Sequence, residues 1–261
     1  MDNETQEPLD SETQEPLDEG YGRLFVAEDT VAFITLMEAV AVKGVHEVSA
    51  GITDEFYQII RNKHARGIRV EVGNKETIIN IPICVEYGYD IQKVAKNVQT
   101  RICTAVEDAT ELKVKEVNVT VNDIKLENES EETPIVDDEE ALPGCSGEIH
   151  ITEYVVAWIA KTETLAVDGI AELSSGIAGE IAGLISKRNQ ARGVKVESGL
   201  KEVLIDLFVV VKFGYRVPDV AWKAQDKVKS RVEQLTGFVV KAVNVTVQGI
   251  DFEKEYNPEK N

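Results

Sequence analysis

The chain has 261 residues, 43% of them apolar, with 28 Lys and Arg against 47 Asp and Glu. That length suits two domains of about 100 residues plus linkers, and no apolar run approaches the roughly 20 residues that span a bilayer. The net charge is −19, and once its acid-rich segments are set aside neither folded part has the strongly basic balance of a dedicated nucleic-acid binder.

Residues 2–19 hold eight acids and no base, and they contain a short duplication, Glu4–Asp10 and Glu12–Asp18. Such a segment buries too little apolar surface to offset chain entropy, so 1–21 reads as a disordered acidic tail. Its start, Met1-Asp2-Asn3-Glu4, has no apolar h-region, which argues for a cytoplasmic protein. A first domain is expected over 22–126, an acidic linker over 127–146, a second domain over 147–252 and a C-terminal tail over 253–261. The linker holds eight further acids between 127 and 140. Removing the sixteen acids of the two tethers leaves 31 against the 28 bases, so the folded parts are nearly neutral.

Within the first domain a helix is expected from about Glu28 to Val42, ended near Gly44. A short segment and a loop lead to strand Ile68–Val72, a turn at Gly73-Asn74, and a long strand in which Thr77, Ile79, Ile81, Ile83 and Val85 alternate with polar positions. That period of two marks one core face. Pro82 cannot donate to a ladder, which suggests an edge strand or a bulge. Val94, Val98, Ile102, Val106 and Ala109 then recur at helical spacing, and Val117, Val119 and Val121 alternate in a last strand.

The second domain repeats this order. Val42–Val45 aligns with Val167–Ile170 at an offset of 125, and Ala65–Glu71 with Ala191–Glu197 at 126. Val203, Ile205, Leu207, Val209 and Val211 form the long strand; Val220, Ala224, Val228, Val232 and Leu235 form the helix, with Pro218 in its first turn. The expected fold is α+β: two tandem copies of a small domain, each with two main helices on a mostly antiparallel sheet. An exposed edge strand could serve assembly by sheet extension.

Chemistry is sparse. The histidines are not shared between copies, since His46 aligns with Ala171 and His150 with Phe25, and catalytic and nucleotide-binding fingerprints are absent. Cys84, Cys103 and Cys145 lack CxxC spacing, which speaks for reduced thiols rather than a disulfide or metal framework. No catalytic residue, cofactor or metal is expected. Glutamates held in both copies, such as Glu38/Glu163 and Glu107/Glu233, suit solvated helix faces and caps. The one candidate binding patch is a basic loop: Arg61, Lys63 and Arg66 in the first copy, Lys187, Arg188 and Arg192 in the second. It is either a solvated connection or a patch for an acidic partner, phosphate or lipid headgroups.

The ordered set Gly147-Glu-Ile-His-Ile, Val155-Val-Ala-Trp-Ile-Ala, Val167-Asp-Gly-Ile-Ala-Glu-Leu, the long strand Val203–Tyr215 and Val243-Asn-Val-Thr-Val-Gln-Gly-Ile resembles the alkaline-shock-protein family of Gram-positive bacteria. The resemblance covers both repeats. It implies a cytoplasmic, non-catalytic scaffold of cell-envelope homeostasis or stress response, peripheral to the membrane through a partner. Its partners would be proteins, self-association among them, with nucleic acid or another anion on the basic loops as the alternative.

Overall fold

The computed structural model describes residues 26–49, 67–73, 75–126, 145–174 and 192–252. The first repeat runs α1 (Glu28–Val40), β1 (Val45–Val48), β2 (Arg69–Val72), β3 (Glu76–Glu86), α2 (Ile91–Thr110) and β4 (Lys113–Lys125). The second runs β5 (Ile149–Ile151), α3 (Glu153–Leu165), β6 (Ile170–Leu173), β7 (Val194–Ser198), β8 (Glu202–Lys212), α4 (Val217–Thr236) and β9 (Val239–Asp251).

The expected α+β class and its two copies are what forms. In each copy the long strand is central. The short strands β1 and β2 pair antiparallel with one side of β3, and β4 pairs parallel with the other. The second copy repeats this with β6, β7, β8 and β9. The sheets are therefore mixed. A hairpin returns the chain antiparallel, whereas a helix between two strands carries it back to the same end and makes the pair parallel.

The alternation expected of the long strands holds throughout: Thr77, Ile79, Ile81, Ile83 and Val85 are buried on β3, and Val203 through Val211 on β8. They meet the apolar stripes of α2 and α4, from Val94 to Val106 and from Val220 to Leu235. The first stripe ends on buried Thr110, not on exposed Ala109; the Thr110 hydroxyl donates to the Val106 carbonyl at 2.6 Å. At each 25 cal/mol per Å2 of apolar surface removed from water, these facing stripes are the main cohesive term.

Two local expectations change. Pro82 lies on an interior strand rather than an edge, where the antiparallel neighbour switches from β2 to β1 and, just beyond it, the register with β4 shifts between Ile83 and Cys84. In the second copy Phe208 N–H donates to the Gly193 carbonyl at 2.9 Å; Pro82 stands at that position without a donor. The hairpins at Gly73 and Gly199 close through bonds of 2.8 Å to the carbonyls of Glu76 and Glu202, yet neither glycine has positive φ. Left-handed positions fall elsewhere, among them Gly44 and Gly169, where a Cβ would lie 2.7 and 2.6 Å from the rings of Tyr89 and Tyr215.

The two repeats share one sheet edge. Strand β5, which opens the second repeat, pairs parallel with β4 of the first in the register Val119↔Ile149, Thr120↔His150 and Val121↔Ile151. Thr152 then leads directly into α3, which packs on the second repeat's own helix and sheet.

Candidate functional site

The densest set of polar contacts lies where α3 and α4 of the second repeat meet the end of β3. Glu163, on the last turn of α3, is 8% exposed. Its carboxylate accepts a short hydrogen bond from the Tyr87 hydroxyl of the first repeat. The same carboxylate is 3.4 Å from Arg231 Nε and, through its other oxygen, 3.4 Å from Lys227 Nζ. Both cations stand on α4 at i and i+4, so helical spacing sets them side by side.

Tyr87 is held on three sides. Arg231 Nε donates to its hydroxyl at 3.3 Å, the guanidinium carbon lies 5.2 Å from the ring centre, and Trp158 of α3 packs at 5.5 Å with planes 59° apart. This is cation–π and tilted aromatic packing together. Burial, followed by the bond to the Glu163 carboxylate, pushes the Tyr87 phenol up to about 12, with Arg231 opposing. Every charge in the cluster thus has its partner inside the cluster. It is a fastening between two repeats, and no nucleophile in it is left activated.

The shared glutamates have specific structural work. Glu38 matches Glu163 and accepts from Arg101 at 2.8 Å, tying α1 to α2. Glu107 and Glu233 accept the Val114 and Val240 N–H groups at 2.9 and 3.0 Å, anchoring the entries to β4 and β9. Gln99, buried on α2, donates to the Val117 carbonyl at 2.8 Å, and Gln225 does the same to Val243.

Of the six basic-loop residues, Arg61, Lys63, Arg66, Lys187 and Arg188 lie outside the described residues; Arg192 is described and is exposed. Among the described residues no group of three His, Cys, Asp or Glu side chains could hold a metal ion, and no helix is long and apolar enough to cross a membrane. Burial pushes the Cys84 thiol up to about 12, with the carboxylates of Asp123 and Glu47 adding to the effect. Cys145 is raised by burial and by its hydrogen-bonded neighbour Cys103, itself raised by burial.

Sequence reasoning missed Tyr87, Trp158 and Arg231. Their counterparts are Phe213, Phe33 and Ala105, so a comparison that seeks residues common to both copies passes over them. The available signal was the opposite one: a contact between unlike surfaces needs different residues on its two sides.

Known proteins agree with this architecture. A model of the ASP23 family, described as having a cell envelope-related function, matches residues 17–126 and again 142–252. The protein YloU of Bacillus subtilis is 33% identical over 106 residues, covering 40% of this chain and 88% of YloU. YqhY of the same organism is 30% identical over 107 residues, covering 41% of this chain and 79% of YqhY. A stress response regulator gls24 homolog of Streptococcus pyogenes is 27% identical over 115 residues, covering 44% of this chain and 64% of that protein. Each alignment has the length of one repeat.

Proposed function

The chain belongs to the ASP23 family, with its cell envelope-related function, and on that premise we propose that it is a non-catalytic scaffold in envelope homeostasis or stress response. It works through protein contacts of its two similar domains, in the cytoplasm and at the membrane only through a partner. The observation that carries this reading is the seam itself. One family domain docks on another by lending a strand to its sheet and burying Tyr87 against Trp158, so the surfaces of this domain are suited to binding protein. The likeness to a stress response regulator homolog supports the same physiological setting.

The test is chemical crosslinking of the tagged full chain inside its host under wall-directed stress, with crosslinked peptides identified by mass. A defined protein partner, or self-association, mapped to the domain surfaces is the expected result. Recovery of neither overturns the reading. Binding of nucleic acid or anionic vesicles by the purified chain that falls steeply with salt would move the function to the basic loops instead.

A further inference from the structure

Both repeats have the same two surfaces, and the chain joins only one of the two possible pairs. The β4 edge receives β5, whereas β9, its equivalent, has no strand on its outer edge among the described residues. The consequences can be followed residue by residue. Val119 and Val121 are wholly buried, and their counterparts Val245 and Val247 are half-buried. Ile124 is 4% exposed against 39% for Ile250. Tyr87 packs on Trp158, while its counterpart Phe213 meets only Phe252 of its own repeat among the described rings, at 4.9 Å between ring centres, and is 68% exposed. Asn118 donates to Asn80 and accepts the Glu148 N–H at 2.9 Å. Asn244 makes the equivalent donation to Asp206, and the N–H that would meet its carbonyl oxygen belongs to the missing strand.

The matching surface is at the other end of the chain. Gly22-Arg-Leu-Phe-Val26 precedes α1 as Gly147-Glu-Ile-His-Ile151 precedes α3. A Cβ on Gly147 would lie 2.0 Å from the Val117 carbonyl oxygen, so the strand can approach β4 only with glycine there. Gly22 keeps that glycine, and Leu24 and Val26 keep the apolar positions of Ile149 and Ile151. On α1, Phe33 and Met37 are 52% and 51% exposed, at the face where Trp158 of α3 makes its contact.

We propose that the β9 edge takes residues 22–26 of a second copy of this chain as an added parallel strand, with that copy's Phe33 against Phe213. This deepens the contact-protein reading and rests on it, the partner being the chain itself. The register follows from β4 and β5: Leu24 beside Val245, Phe25 beside Thr246, Val26 beside Val247, and the Arg23 N–H on the Asn244 side-chain oxygen. A chain closing this contact on itself would set its own Phe33 against its own Phe213, and both stand exposed. The contact joins unlike surfaces, so each added copy presents a fresh edge and growth continues unless a ring closes. Phe213 lacks the Tyr87 hydroxyl and Ala105 replaces Arg231. The joint between chains therefore has no buried ionic fastening, and it forms and parts with concentration while the seam within a chain stays closed.

The test mixes two full-length single variants, Phe25→Cys and Thr246→Cys, under oxidation, and identifies disulfide-linked peptides by mass. A 25–246 link between chains is expected, lowered roughly tenfold or more when Gly22→Val is added to the Phe25→Cys chain. No 25–246 link, or a link insensitive to Gly22→Val, overturns the proposal. So does a double variant, Phe25→Cys with Thr246→Cys, that links only within one chain at all concentrations. If these links fail while a different protein is still captured in cells, self-addition alone falls; if both fail, the scaffold reading falls with it.

Discussion

At the scale of single residues, burial decides what a charge is worth. Glu163 and Glu38 are counterparts, but Glu163 is 11% exposed at its side chain with two cations and a phenol on it, and Glu38 is 30% exposed with Arg101 at 43%. Glu163→Gln should therefore lower stability by about 1–3 kcal/mol, and Glu38→Gln by less than about 1 kcal/mol, compared by urea unfolding. Cys84 and Tyr87 have thiol and phenol raised from 9.0 and 10.0 to about 12 each. The folded protein keeps both protons up to that pH, while the unfolded chain releases them from about 9 and 10 upward. Stability from these groups is thus complete below pH 9 and lost between 9 and 12. The unfolding midpoint of a Cys84→Ala, Tyr87→Phe double variant should fall less steeply across that window than that of the parent. The roles of Glu107, Glu233, Gln99 and Gln225 were not readable from their helical spacing, because their partners are carbonyls and N–H groups of strands that only the fold brings near.

At the scale of elements, the two copies act as natural variants of each other. Helix α2 ends on Glu111 at φ 57° and α4 on Gly237 at φ 67°. A side chain is strained in that left-handed position and glycine is not, so Glu111→Gly should raise the thermal midpoint, by about 1 kcal/mol of stability. The alternating strands and the helical stripes were legible because burial of one face imposes periods of two and 3.6 directly on the sequence. The pairing of β5 was not, since three residues, Ile149–Ile151, impose no period that names a partner. Gly147→Val should expel β5, because its Cβ meets the Val117 carbonyl. The Val117 and Val119 amides, which donate to Ser146 and Glu148 at 2.9 Å each, would then lose protection in hydrogen exchange, while amides in β3 keep theirs.

At the scale of the whole molecule, the tandem arrangement is a docked pair with unequal ends. The acidic 127–140 segment holds the two domains at a high local concentration, and the β4–β5 pairing with the Tyr87 cluster gives them a fixed contact. Cleavage at a protease site placed between 127 and 144 should leave two halves that still co-elute on size exclusion. The same cleavage in the Gly147→Val chain should give two separate peaks. Co-elution lost in the parent would show that the tether alone joins the domains.

The sequence by itself determined the duplication, the two cores, the two acid-rich segments and the family, because each is recorded in composition, periodicity or a collinear match. Only the tertiary structure decided which surfaces meet. Tyr87 comes from the end of β3, Trp158 and Glu163 from α3, and Arg231 from α4, and no local pattern links residues whose proximity depends on how one folded domain sits on another. The same docking makes the two equivalent edges different, with β4 covered by β5 and β9 without a strand on its outer edge among the described residues.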